Sequence, residues 1–150
     1  MFRGTHRHNL DSKGRLSVPA RFRDQLNALC DGQLVLTINP TSEESERCLW
    51  AYPLPHWEEV ERQVSSMPSS QASTRRFQRV FIGHSEELRL DNQSRVLLSA
   101  NLRQYARIER DVVLVGQIGK FEIWDAALWD QQESLLSEGD LLASLGDLRL

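Results

Sequence analysis

A chain of 150 residues, 40% hydrophobic and 26% charged, holds enough apolar material for one compact domain or two small ones packed together. Its formal charge of −3 argues against a protein that coats nucleic acid indiscriminately, and no apolar run approaches the roughly 18–20 residues that cross a bilayer. The opening MFRGTHRHNLD lacks the apolar stretch and small-residue cleavage site of a secretory signal, so a cytoplasmic protein is expected.

In chain order, a short strand leads into the polar turn DSKG and a second short strand, RLSV. Asp11 is placed to accept from backbone N–H groups further along the turn, and Gly14 tolerates positive φ. A helix follows: Pro19 suits its first turn, and Phe22, Leu26 and Leu29 recur at helical spacing. The run LVLTI reads as a strand, NPTSEESER as a long connection, LWAY as another strand, and Pro55–Val64 as an amphipathic helix. SSMPSSQAS reads as a flexible link. TRRFQRVFIG reads as a helix with Phe77, Val80 and Phe81 inward and Gly83 at its cap.

The order then repeats. LDNQSRVLLSANLR at Leu90–Arg103 aligns with LDSKGRLSVPARFR at Leu10–Arg23 at a shift of 80 positions. Leu10/Leu90, Asp11/Asp91, Arg15/Arg95, Ala20/Ala100 and Arg23/Arg103 are identical. VVLVG matches LVLTI, and FEIWDAALW matches LWAYPLPHW, so Tyr52 falls opposite Trp124 and Trp57 opposite Trp129. GQIG is a tight hairpin link, and Ala126–Leu136 is the trailing helix. The acidic tail with spaced leucines is compatible with a loosely attached helix or with disorder. The divisions are thus a first repeat over 1–66, a link and short helix over 67–84, a second repeat over 85–136 and a tail over 137–150. One copy has too few strands to bury both faces of its sheet, so the duplication is expected to build one core around an approximate twofold axis.

Charge is segregated along the chain. Residues 1–23 carry six basic side chains against one acidic, whereas 24–64 and 111–150 each carry two against eight. That pattern fits a small anion-seeking patch on a body that repels anions. An arginine of either turn has two possible lives: a plain hairpin in which it pairs with the aspartate, or an outward guanidinium. The first is expected for Arg95. For Arg15, beside Lys13, Arg3 and Arg7, the second is expected.

Catalytic and metal signatures are weak. His6 and His8 share a strand face without neighbouring Cys or carboxylates, and His84 is accounted for by helix termination. No P-loop, GxGxxG, nucleophile elbow or HExxH occurs. Cys30 and Cys48 read as small hydrophobes, and the four tryptophans as core anchors. No enzyme activity, cofactor or metal is expected.

MFRG, LDSKGRLSVPARFR, QRVFIGHS and LVGQIGKFEIWD together resemble the MraZ family of bacterial transcriptional regulators, across about residues 1–136. The resemblance implies an α+β fold with a mainly β core: two AbrB-like swapped-hairpin repeats forming a pseudo-twofold, double-psi-like barrel with flanking helices. It implies a ring-shaped homo-oligomer, associated with the nucleoid rather than a membrane. The ring would bind direct repeats in double-stranded promoter DNA of the division and cell-wall gene cluster, including its own promoter, as a repressor. The DNA-reading D-x-x-x-R turn falls on Asp11 and Arg15, with Lys13 and Gly14 between them and Arg3 as a supporting cation. The second copy keeps Asp91 and Arg95 but has Gln93 and Ser94, so its role is secondary DNA contact or structure. The alternatives are a protein-interaction hub and an antitoxin-like partner-binding protein.

Overall fold

The computed structural model describes residues 1–135, 142–146 and 148–149. Two runs decide the architecture. Within Leu34–Ile38 and Val112–Val115 every side chain is buried, which a strand permits only where both faces of its sheet are covered. β3 (Gln33–Ile38) sends Leu34, Leu36 and Ile38 to one face and Val35 and Thr37 to the other. β7 (Asp111–Gly116) divides Val112 and Leu114 from Val113 and Val115 in the same way.

These strands join β1 (Thr5–Asn9), β4 (Leu49–Pro53), β5 (Glu86–Arg89) and β8 (Phe121–Asp125) in a six-stranded antiparallel sheet, order β1-β7-β8-β4-β3-β5. β2 (Arg15–Ser17) and β6 (Arg95–Leu97) form a separate two-stranded ribbon. The pairing is exchanged between the repeats. β1 of the first copy lies on β7 of the second, and β5 of the second lies on β3 of the first. Leu16 stands opposite Val96 in the ribbon, and Trp50 opposite Glu122 at the middle of the sheet. Each is a pair of repeat counterparts, set directly opposite one another.

One face of the sheet is closed by the ribbon, α1 (Ala20–Cys30) and α4 (Ala100–Ala106), which contribute Leu16, Val96, Phe22, Leu26, Leu102 and Ala106 to the main core. Phe22 is fully buried; its ring meets Phe2 at 5.3 Å, Phe121 at 4.8 Å and His6 at 5.1 Å between centroids. On the other face α2 (Leu54–Ser65) and α3 (Ala72–Gly83) cover one half, and α5 (Ala126–Ser134) the other. The same aromatic pair holds each trailing helix: Tyr52–Trp57 at 5.5 Å and Trp124–Trp129 at 5.7 Å. Thr37, buried, donates to Phe81 O at 2.7 Å and so fastens α3 to the sheet.

The α+β class and the mainly antiparallel β core stand, with five α-helices among the described residues. Several local expectations shift. Leu29 shares the helical spacing of Phe22 and Leu26 yet is 62% exposed: α1 ends one residue later, and the chain turns away through Asp31 and Gly32, both at positive φ. Pro19 caps α1 rather than entering it. Gly83 is the last residue of α3, and His84 is the cap, in a right-handed conformation that needs no glycine. Cys48 is buried but Cys30 only half-buried. α5 stops at Ser134, short of the expected Leu136. Of the tail, Leu142–Leu145 forms a 3-10 turn, and the rest of that expectation falls largely outside the described residues. No described helix is long and apolar enough to cross a membrane.

Phe22 is the contact through which α1, the β1 entry and β8 meet. Phe22→Ala is expected to cost about 3–5 kcal/mol of unfolding free energy, the range for a buried aromatic truncated to alanine. Urea unfolding followed by circular dichroism measures it; a loss below about 1 kcal/mol would contradict a shared core.

Candidate functional site

The first turn is built on one carboxylate. Asp11 Oδ1 accepts from the backbone N–H of Lys13 and of Arg15, both at 2.9 Å, and Oδ2 accepts from Arg15 Nε at 2.7 Å. Gly14 N donates to Asp11 O at 3.0 Å, and Gly14 takes φ +81 to close the loop. The contact runs through Nε, so the two terminal nitrogens of the Arg15 guanidinium lie outside that bond. Lys13 is exposed at the tip.

The second turn has the same geometry. Asp91 accepts from Gln93 N at 2.8 Å, Arg95 N at 2.9 Å and Arg95 Nε at 3.1 Å. Ser94 takes φ +59 where the first copy has glycine. The expectation that Arg95 pairs with its aspartate while Arg15 does not is therefore corrected: both arginines pair. The aspartate that shapes the backbone leaves its second oxygen within reach of the arginine four residues on, whatever lies between.

What separates the turns is their surroundings. The ribbon sets them side by side, with Val18 N donating to Ser94 O and Leu98 N to Gly14 O, both at 3.0 Å. Arg95 reaches across, its Nη1 3.8 Å from Asp11 Oδ2, and is held between two carboxylates. Arg15 has one carboxylate partner and a more exposed side chain, 32% against 22%. Beside the first turn opens a cleft of about 510 Å³, lined by Asp11, Ser12, Gly14, Arg103, Glu109 and Arg110. Arg103 had been visible only as one of the five identities of the repeat.

Asp11, Lys13, Gly14, Arg15, Asp91 and Arg95 thus come together, and Arg3 does not. Arg3 lies at the opposite end of β1, beside Gly116, about 25 Å of extended chain from Asp11. Arg7 is drawn to α5, where Asp130 accepts from its Nη2 at 2.6 Å. His6 and His8 share the inward side of β1; the His6 ring meets Phe22, and its Nε2 is buried without a hydrogen-bond partner among the described residues. The His8 pKa is lowered by burial and then by the neighbouring His6. No group of three or more His, Cys, Asp or Glu that could hold a metal occurs among the described residues. Trp57 and Trp124 are buried and Trp50 and Trp129 half-buried; Glu122 accepts from the indole N–H of both Trp50 and Trp124.

Comparison with known proteins gives one family. The family described as "MraZ protein, putative antitoxin-like" matches the chain twice, over residues 1–80 and 81–145. A protein named Transcriptional regulator MraZ from Acidithiobacillus ferrooxidans is 65% identical over the full length of both chains. Its namesakes from Halorhodospira halophila and Alkalilimnicola ehrlichii are 45% and 50% identical. The first match covers all of both chains, the second 87% of this chain and 85% of the relative. These relatives are named as regulators of transcription, not as enzymes.

The turn also has a titration signature. Asp11 is pushed down to about 2, first by the Arg15 backbone N–H; burial opposes this as the next largest effect, and the Arg15 side chain and the Lys13 N–H add to the lowering. Asp91 is lowered for the same leading reason, the Arg95 N–H. A carboxyl lowered in the folded state stabilises the turn above its ordinary value of 3.8, and this is lost as pH falls through about 2. Carboxyl-detected NMR titration should place the Asp11 midpoint near 2. In Arg15→Ala the midpoint should rise yet stay below 3.8, because the backbone N–H bonds survive. A midpoint unmoved by that substitution would show that the guanidinium has no part in holding the carboxylate.

Proposed function

This chain belongs to the MraZ family, and we propose that it regulates transcription by binding double-stranded DNA through the Asp11–Arg15 turn. The observation that carries this reading is the first turn itself: Asp11 fixes the Arg15 stem through Nε and leaves the terminal nitrogens for a ligand. A guanidinium held in that way can take guanine O6 and N7 in a bidentate contact, with ~1–3 kcal/mol of discrimination for a good pair. Lys13 at the tip supplies a phosphate contact that positions without specifying. Arg95, held between Asp91 and Asp11, serves mainly the structure. Arg3 would meet only a DNA segment well beyond the one under the turn.

The targets we infer are direct repeats in the promoter of the division and cell-wall gene cluster and the gene's own promoter, repressed from the cytoplasm at the nucleoid. The exchanged first strands support assignment to the AbrB-like swapped-hairpin, double-psi-like pattern. They also support a division into repeats at 1–66 and 85–136, with a linking helix between them and a tail from 137. Recognition by one turn would be weak, and a ring presenting several turns to repeated DNA gains effective concentration. A ring needs two different complementary surfaces on each subunit. Two apolar grooves support that requirement: one around Met1, Leu29, His56 and Ile118, the other around Val64 and Ile82. They lie towards opposite ends of α2. The antitoxin-like description of the family favours a second reading, partner binding without DNA.

Arg15→Ala should abolish specific binding to a duplex of the upstream region while changing stability by no more than about 1 kcal/mol. Arg95→Ala should weaken it far less. Equal losses would refute the divergence of the two turns, no loss in a Lys13→Ala, Arg15→Ala double variant would place the DNA contact elsewhere on the chain, and no binding of the duplex by the unsubstituted chain would favour the partner-binding reading.

Assembly should exceed a dimer by light scattering, and Leu29→Asp or Ile118→Asp should reduce it. DNA affinity should collapse on a single-repeat fragment and also when one repeat is shifted by half a helical turn of about 5 bp, which presents the wrong face. A single repeat bound as tightly as the array would overturn the multivalent mechanism.

A further inference from the structure

We infer that the DNA site at the first turn is composite: Arg103, on helix α4 of the second repeat, supplies a phosphate-binding guanidinium beside Gly14. The inference rests on the reading of the Asp11–Arg15 turn as the DNA-contacting element. Three observations lead to it. Arg103 Nε donates to Leu98 O at 3.1 Å, and Leu98 N donates to Gly14 O at 3.0 Å, so one residue ties the arginine to the turn. A Cβ built on Gly14 would lie 3.4 Å from Arg103 Cζ and 3.5 Å from its Nε. The guanidinium therefore occupies the space beside the turn that a side chain at position 14 would contact. Arg103 is half-buried, lines the open cleft next to the turn, and has no carboxylate within ion-pair distance among the described residues.

A half-buried guanidinium without a counter-charge favours an oxyanion, and its remaining N–H groups suit a phosphate in the charge-assisted geometry arginine prefers. Arg110 adds a second exposed cation to the cleft. Asp11 and Glu109 also line it, but Asp11 already accepts three bonds from Lys13 and Arg15, which offset its charge. The counterpart of Arg103 in the first repeat, Arg23, is instead 3.9 Å from Asp24 Oδ1, and the other turn carries Ser94. The ligand is the DNA phosphodiester next to the base pair read by Arg15.

The test is equilibrium binding of the full chain to a duplex of its upstream region and to a scrambled duplex, across a range of salt concentrations. Arg103→Ala should weaken both by a similar factor, about tenfold, and make the slope of log K against log salt shallower by about 1 for each engaged subunit. Arg103→Lys, which keeps the charge, should preserve the slope, and Arg23→Ala should change neither quantity. An unchanged slope in Arg103→Ala, with Arg15→Ala still abolishing specific binding, would overturn the inference and leave the turn as the whole site. Binding untouched by Arg15→Ala would instead fell the reading of the turn. Should Arg103→Ala fail to fold, Arg103→Gln carries the same test, because it keeps much of the stem and an amide donor and removes the charge.

Discussion

Neither repeat can complete a sheet from its own strands, so each gives its first strand to the other, and the rest of the molecule follows from that exchange. Between β1 and β2 the chain has only residues 10–14, so β2 must lie wherever β1 has gone. The same holds for β5 and β6. Both short strands are thereby delivered to each other, where Leu16 and Val96 stand opposite one another and backbone hydrogen bonds join the two turns. The turns are held in place from the core. A strand pair of three residues would not hold alone; it holds because its inward side chains belong to the cluster around Phe22 and Phe121.

Electrostatics then sorts two turns of equal shape. A partly exposed arginine–aspartate pair contributes little to stability, so the Asp11–Arg15 contact is better understood as orientation than as glue. It fixes the side chain before any ligand arrives, which lowers the conformational cost of binding. Arg95, shared between Asp91 and Asp11, has exchanged that availability for a bridge between the two turns. The acidic stretches at 24–64 and 111–150 give the rest of the chain a charge that repels anions.

Much of this was legible in the sequence because the repeat is local and its periods are clean. The inward Phe22 and Leu26, the strands LVLTI and VVLVG, and the correspondence of Tyr52 with Trp124 and of Trp57 with Trp129 all follow from spacing. What the sequence hid is non-local. Which strand pairs with which depends on contacts about 110 residues apart for β1 and β7, and no periodicity encodes them. Arg3 looked like a member of the basic cluster because sequence distance ignores the length of an extended strand. Leu29 looked like core because helical spacing does not say where the next element leaves the helix. Arg103 was visible as a repeat identity, but its use appears only when the second repeat's helix is seen against the first repeat's glycine.

That glycine bears on why the copies diverged where they did. Backbone geometry alone does not require it: Ser94 adopts φ +59 in the equivalent turn, close to the left-handed region that an L-residue enters at a cost of roughly 1–2 kcal/mol. The fold therefore tolerates a side chain at this place in one copy. In the other, φ moves to +81, beyond that well, and the vacated space is lined by Arg103 and the carbonyl of Leu98. A turn that needed only to close could have kept serine. The first copy, whose glycine lies against the Arg103 side chain of the other repeat, is also the one with lysine at its tip and a less encumbered arginine at its exit. The lysine and the freer arginine both increase the positive charge accessible at one corner, which the paired ribbon of the two repeats holds in place.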